Sequence, residues 1–353
     1  MAPGDVLLDA VAKKVLTETL RIKKGETITI ETWNPGLPLA KRLVVEARKA
    51  GAVPVMMFED EATFVESVKV TPKDVLGTMG KQEYGLLAGS DAYVFIPGPP
   101  IGAYSPRLSR EEVADSTRYN RSWYEAAEKA RLRGARLPFG FVGKEYARLY
   151  GKRPEEFFRH QLKAALADFS TISSNGRAIG EVMPDGAEAT LSSGRGTLDF
   201  AMKGELEVED GIVDEADVAA GSNMTYVPPG YVLKQVDSAS VKGAVELSPA
   251  VTRLGLLEDA RLEFEGGRIA KWTSRASKKM LDELLESVQP EKRVLSSVAV
   301  GLNPSMRYGF GQDRMVSGAV ALSGFGFTGI ARRATLAAGG TTVVEKGKLV
   351  YPG

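Results

Sequence analysis

Two apolar runs late in the chain, Leu295–Leu302 and Met315–Ser323, alternate small and branched side chains around a turn-rich linker. Their valine content and two-residue period predict strands. Extended backbone sends successive side chains to opposite faces. Ser297, Ala299 and Gly301 therefore share one face, with Val298, Val300 and Leu302 opposite. In the second run Ser317, Ala319, Ala321 and Ser323 share a face, opposed by Val316, Val320 and Leu322. A face of such small residues implies either close packing or a floor on which something lies.

Earlier in the chain the pattern alternates between helix and strand periods. Apolar residues at Val6, Leu7, Ala10, Val11 and Val15 predict a helix from Asp5 to about Leu20. Lys24-Gly25-Glu26 turns into a strand over Thr27–Thr32, and Asn34-Pro35-Gly36 breaks it. A helix over Leu37–Lys49 ends at Gly51. Val53–Phe58, Asp91–Ile96 and, more weakly, Arg136–Val142 read as strands. Helical stretches around Pro72–Ala88 and Thr117–Leu132 lie between them. Pro154 opens a helix over Glu155–Asp168 with the apolar stripe Phe158, Leu162, Ala165 and Leu166. Phe169–Asn175 reads as a crossing. From Ala187 the pattern changes to short strands with frequent turns. Glu265-Gly266-Gly267-Arg268 predicts a hairpin, and one helix is expected at Ser277–Val288. The expectation is an α/β N-terminal domain, residues 1–170, with a mainly parallel sheet, followed by an α+β C-terminal domain, residues 171–353, with mainly antiparallel strands.

Composition narrows the chemistry. The 353 residues are 43% hydrophobic with a net charge of +1, so no global field favours nucleic acid. No 18-residue apolar run occurs, and the N-terminus reads as an amphipathic helix rather than a leader. These features predict a cytoplasmic protein without a membrane segment. Cysteine is absent, which excludes disulfides and thiolate chemistry. His160 is the single histidine and lies off its helix's apolar stripe, as a surface residue does. The turn clusters Trp33–Gly36 and Pro97–Gly102 follow strands, where ligands bind in parallel sheets. Neither is a dinucleotide fingerprint or a P-loop, and chain reversal explains both.

The acidic run from Glu205 to Asp217 resembles no calcium loop and reads as a solvated loop. From Lys292 to Gly353 eight basic residues face two carboxylates, Asp313 and Glu345. That segment suits an anion, with Arg307, Arg314, Arg332 and Arg333 as candidates, or it offsets the acidic run within the fold.

The segments RIKKGETITIET, EARKAGAVPVMMFEDEA, DAYVFIPGP, EEFFRHQLKAALADF, GTLDF, NMTYVPPGYV and VAVGLNP lie in an order similar to that of the aminopeptidase T/S family of dinuclear metallo-aminopeptidases. The resemblance runs from about Val15 to Phe327. It implies an α/β domain, an α+β catalytic domain and a homodimer with an enclosed cavity. It also implies metal ligands, and this chain departs from each one that can be matched. Tyr231 stands where the family's Asn-x-Pro-x-Gly-Glu motif has its glutamate. Ser297 stands seven residues before Pro304, in place of a second glutamate. Ala321 replaces a strand histidine, and Thr328 falls near a ligand tyrosine. No histidine follows His160 to supply the terminal His-x-Asp pair. The dihydroxypyridine dioxygenases, on the same scaffold, need an iron site that these residues also lack.

Two holders of divalent charge need several anionic or imidazole ligands. The resemblance therefore implies a non-catalytic homologue: a dimeric binding or assembly protein, without cofactor, taking a small anion, a peptide or a protein partner. The alternative is a metal-dependent aminopeptidase using zinc or cobalt, with ligands relocated to Asp237, Glu246, Asp313 and Glu345 and Tyr231 still near the metal. A third reading places metal-free chemistry at Ser297 or Tyr231 beside Arg307 or Arg314, but no base accompanies Ser297.

Overall fold

The alternation over Thr27–Trp33 folds into β1, the centre of a parallel sheet, because its even-numbered positions, Ile28, Ile30 and Thr32, are buried together on one face. In the computed structural model, which describes residues 3–98, 107–141, 144–252, 254–308 and 313–352, the chain forms two units. The first comprises Met1–Leu166 and Gly211–Pro228; the second comprises Ala167–Asp210 and Pro229–Gly353. The first is α/β and the second is dominated by antiparallel strands. Among the described residues no helix is long and apolar enough to cross a membrane.

In the first unit, helix α1 (Pro3–Lys14) continues into one wider π turn, Val15–Thr19. Then come β1, α2 (Leu37–Lys49), β2 (Val53–Glu59), α3 (Glu61–Val70), α4 (Lys81–Ala88) and β3 (Ala92–Ile96). α5 (Arg110–Lys129), β4 (Arg133–Arg136), α6 (Lys144–Leu149) and α7 (Pro154–Ala165) follow. Asp60 caps α3 by accepting from the Thr63 amide, and Ser109 with Glu112 closes a capping box on α5. The sheet order is β2-β1-β3-β4-β7, all parallel, where β7 is Met224–Tyr226, contributed by the returning segment.

Several expectations need correction. The strand predicted over Arg136–Val142 is β4, which ends at Arg136. The apolar stretch after it turns as a 3-10 helix at Pro138–Phe141, led by Pro138. The helix predicted over Pro72–Ala88 begins only at Lys81, and α3 precedes it. In α7 Leu162 and Ala165 of the predicted stripe are buried, with Phe157, Gln161 and Ala164 beside them, whereas Phe158 and Leu166 are half-buried. Residues 99–102 of the Pro97–Gly102 turn lie outside the described residues.

In the second unit the predicted crossing at Phe169–Asn175 is instead the start of α8 (Phe169–Val182), capped by Asp168 through the Ser170 amide. Buried Ile172, Gly176 and Ile179 recur at helical spacing along it. β5 (Glu188–Ser193) and β6 (Gly196–Glu209) follow. The acidic run predicted as a loop is the end of β6 plus α9 (Glu215–Ala219) in the first unit, where Asp214 and Asp217 cap the helix. β8 (Tyr231–Leu247), β9 (Ala250–Thr252), β10 (Gly255–Leu257), β11 (Ala260–Glu265) and β12 (Arg268–Thr273) come next, the last two forming the predicted hairpin. α10 (Lys278–Glu286) and β13 (Ser297–Gly301) lead to β14 (Val320–Ser323), shorter than predicted because residues 316–319 form a turn. β15 (Gly329–Ile330), β16 (Thr335–Ala338), β17 (Thr341–Glu345) and β18 (Lys348–Leu349) complete the unit.

The strand order β15-β14-β13-β8-β6-β5-β16-β17-β18 makes one large sheet, with the hairpin β11–β12 docked on β8. β8 is long enough to curl: its last residue, Leu247, bridges to Ala331 just past β15. The valine face of β13 and β14 packs with Ile172 and Ile179 of α8 and Leu281 and Leu285 of α10 into one core. The opposite, small-residue face is thereby left for the candidate site.

Candidate functional site

The register fixes where the predicted positions stand. Tyr231 opens β8 opposite Gly301 of β13. Ser297, at the other end of β13, lies between Gln235 and Ser323. Ala299 lies between Leu233 and Ala321, and Ala321 in turn faces Ile330. Tyr231, Ser297 and Ala321 thus share one face. Four residues along a strand separate the Tyr231 and Ser297 rows, about 13 Å at ~3.3 Å per residue. Thr328 joins the Ser297 end, where its hydroxyl lies 3.0 Å from that of Ser323.

The two ends of this face differ. At the Tyr231 end, backbone lies directly on the small residues. A β-carbon added to Gly301 would sit 2.0 Å from the Val316 carbonyl oxygen and 2.6 Å from that of Arg314. Asn303, fully buried, ties this end together: its side-chain amide donates to the Pro229 carbonyl, and its side-chain oxygen accepts from the amides of Ser305 and Met306. Gly230, at φ 124°, touches the Asn303 backbone so closely that a side chain has no room there. Here the small face serves close packing. At the Ser297 end, Gln235 is exposed and Ser297 and Ser323 are half-buried, so the face remains open.

The loop packed on Gly301 delivers Arg314 to Tyr231. The guanidinium carbon lies 4.3 Å from the ring centroid, within cation–π range. Tyr231 itself is 7% exposed. A fixed positive charge therefore stands beside the tyrosine. The remaining predicted arginines are exposed: Arg307 in the preceding loop, and Arg332 and Arg333 in the turn after β15. The Arg332 amide donates to the Glu246 carbonyl, and Ala331 connects to Val320. Arg332 therefore lies about three strand spacings from the start of β8, roughly 15 Å.

The donor set does not fit a divalent ion. Hydroxyls of Tyr231, Ser297 and Thr328 and the methyl of Ala321 carry no formal charge, and a guanidinium opposes a cation's approach. Three of the relocated candidates are dispersed: Asp237 is exposed on β8 opposite Ala201, Glu246 is 3.8 Å from Arg261, and Glu345 pairs in register with Lys348; the fourth, Asp313, stands beside Arg314 in the 3-10 turn Asp313–Met315. Among the described residues no three His, Cys, Asp or Glu side chains are grouped to hold a metal. His160 is half-buried on α7, in the first unit.

Sequence reading missed a second cluster, in the first unit. One row across the parallel sheet runs Met57, Glu31, Phe95, Arg136, Tyr226. α4 and α5 contribute Leu87, Tyr119, Trp123 and Ala127 to the apolar cluster that includes Tyr93 and Phe95 of β3. Glu31 is half-buried beside them, and no hydrogen bond to its carboxyl occurs among the described residues. Arg136 stacks over Phe95 at 5.3 Å rather than pairing with Glu31. Burial first, then the charges of Glu59 and Glu83, push the Glu31 carboxyl up to about 8, against a smaller opposing pull from Arg136. Loss of water raises Glu59 as well, followed by Glu83 and Asp60. Tyr119 donates to Glu83, and burial and that bond hold its phenol above the ordinary range. The row can hold and release a proton near neutral pH. Its only sequence signal is a carboxylate inside the alternating segment TITIET.

The chain has a two-unit, aminopeptidase-like architecture: a parallel sheet with helices in one unit and a large antiparallel sheet in the other. It is similar over nearly its whole length to wild-type AmpT from Thermus thermophilus, at 16% identity and a TM-score of 0.69, covering 98% of this chain and 99% of that one. It is also similar to 2,5-dihydroxypyridine dioxygenase from Pseudomonas putida KT2440, at 14% identity and a TM-score of 0.62, covering 99% and 98%. No protein-family model and no curated protein matches the chain.

Proposed function

We propose that this chain is a non-catalytic relative of the metallo-aminopeptidases that binds an anionic group, such as a peptide carboxylate, on the small-residue face of its second unit. The observation that carries the reading is Arg314 stacked on Tyr231, a permanent cation where the resemblance implies a metal-binding carboxylate. A phenol in the carboxylate's place, with a guanidinium brought over it, reverses the preference of the site, from divalent cations to anions. The open Ser297 end, with the hydroxyls of Ser297, Ser323 and Thr328, supplies neutral hydrogen-bonding groups for the rest of a ligand.

Two measurements test this. Purified protein dialysed with zinc, cobalt or manganese and then desalted is expected to retain no stoichiometric metal and to leave dipeptides intact. In calorimetric titration, a dipeptide is expected to bind about tenfold more weakly to Arg314→Met, the loss of one charge-assisted contact. One or two retained equivalents of metal, with hydrolysis that a chelator abolishes, would establish the enzyme instead. Unchanged dipeptide affinity in Arg314→Met would remove the anion site.

A further inference from the structure

The basic C-terminal segment and the acidic run at Glu205–Asp217 have opposite charge, yet the fold does not bring them together. Asp214 lies 3.9 Å from Arg21 and Glu215 lies 3.5 Å from Lys23, all four within the first unit. Asp217 is occupied in capping α9. Glu205, Glu207 and Glu209 stand toward the far end of β6, nine or more residues beyond Gly196. That is roughly 30 Å at ~3.3 Å per residue.

Three turns close the other end of the large sheet. Gly194-Arg195 joins β5 to β6, Arg332-Arg333 precedes β16, and Lys346-Gly347 joins β17 to β18. Local contacts hold the turns side by side. The Ser193 hydroxyl lies 3.2 Å from the Arg332 carbonyl oxygen, and the Gly347 amide donates to the Ala334 carbonyl at 2.7 Å. The Lys346 amide donates to the Thr335 hydroxyl at 3.0 Å. Arg195, Arg332, Arg333, Lys346 and Lys348 are all exposed at this sheet end, with Glu345 as the carboxylate among them. Glu246 is adjacent through the Arg332 amide, but its carboxylate lies 3.8 Å from Arg261. Among the described residues none of the five cations has a carboxylate within 4 Å.

Like charges on neighbouring turns repel one another, and a partner of opposite charge removes that repulsion. We propose that this sheet end is a docking surface for an acidic segment of a partner protein. The turn of β5 and β6 and that of β17 and β18 are three strand spacings apart, about 14 Å at ~4.8 Å each. An extended segment of about four or five residues covers that distance. Guanidinium and ammonium groups along it match carboxylates in both charge and donor geometry. Single-stranded nucleic acid fits less well, because it needs exposed rings to stack on, and the exposed tyrosines, Tyr84 and Tyr124, belong to the first unit. A membrane fits less well too. Val350 is the one large apolar side chain exposed among the described residues of the second unit, which leaves the cations without an apolar anchor. The surface lies apart from Tyr231 and Arg314 and does not depend on their binding an anion.

Fluorescence anisotropy with fluorescein-labelled hexaglutamate tests the proposal. The parent chain is expected to bind it at about 50 mM salt and to lose roughly fivefold in affinity at about 300 mM. Arg333→Glu combined with Lys346→Glu is expected to weaken binding about tenfold or more. Lys271→Glu combined with Lys279→Glu, on exposed positions of β12 and α10, changes the net charge equally and is expected to stay within about twofold of the parent. Should the first pair fail to fold, Arg195→Glu combined with Lys348→Glu takes its place, with the same expected loss. Equal losses in the test and control pairs would reduce the effect to net charge and overturn the proposal. So would a parent chain that leaves hexaglutamate unbound at low salt. A labelled oligonucleotide or phosphatidylserine vesicles bound more tightly than hexaglutamate would assign the surface to nucleic acid or membrane and overturn the acidic partner.

Discussion

Glu31→Gln is expected to unfold at a higher denaturant midpoint than the parent chain at pH 8, and the two to converge as the pH falls to 4. Between the ordinary value of 4.5 and the folded value of about 8, the folded state holds a proton that the unfolded chain has released. Stability therefore falls as pH rises through that window and levels off above it. Glutamine has no proton to retain, so it abolishes the slope. The full interval would correspond to roughly 5 kcal/mol at ~1.4 kcal/mol per pH unit. Residual solvent contact and the shared charge of Glu59 and Glu83 reduce the expected gain to about 2 kcal/mol at pH 8. Urea titrations at pH 4, 6 and 8 measure it. Parallel pH profiles for the two proteins would show that Glu31 is ionised in the folded state.

Gly301→Ala is expected to destabilise the second unit by about 3 kcal/mol, the upper range for overpacking. The added methyl would meet carbonyl oxygens of Arg314 and Val316, both backbone, which cannot rotate away as a side chain can. Relief requires the Arg314 segment to lift from β13, and Tyr231 then loses its guanidinium. The same variant should therefore weaken dipeptide binding beyond what its melting shift explains. Ser297→Ala on the same strand serves as control, within about 0.5 kcal/mol of the parent, because no hydrogen bond from the Ser297 hydroxyl occurs among the described residues. A Gly301→Ala protein as stable as the parent would mean that the overlying segment is free to shift.

Local pattern carried much of the fold. β1, α2, β2, β3 and the β11–β12 hairpin have strong periods with turn residues at their ends, and these local signals agree with their tertiary roles. β4 was misplaced because the apolar run Leu137–Phe141 suggests a strand, whereas Pro138 bends it into a turn. β7 has three residues, and its pairing with β4 across a long separation leaves no local trace. α8 begins at Phe169–Asn175, the stretch that reads as a crossing, although Asp168, Ile172 and Ile179 give a cap and a helical period. At the site, alternation assigned Tyr231, Ser297 and Ala321 to one face. It could not show that Gly301 is roofed by backbone, since that depends on a segment a dozen residues later. Glu31 was invisible for a similar reason. In TITIET it occupies a polar position of an ordinary half-exposed strand, and only α4 and α5, packed over that face, take water from it.

The excursion of Gly211–Pro228 into the first unit bears on how the molecule forms during synthesis. The Gly134 amide donates to the Asn223 carbonyl, and the Val227 amide to that of Arg136, so β4 keeps an open edge until that segment arrives. About 90 residues separate the two, an interval of roughly 5 to 20 s on a ribosome adding 5–20 residues per second. For that time the nascent first unit is a four-stranded sheet with both margins bare. β4 awaits a strand of its own chain, and until Met224–Tyr226 arrives that edge is open to pairing with any other strand.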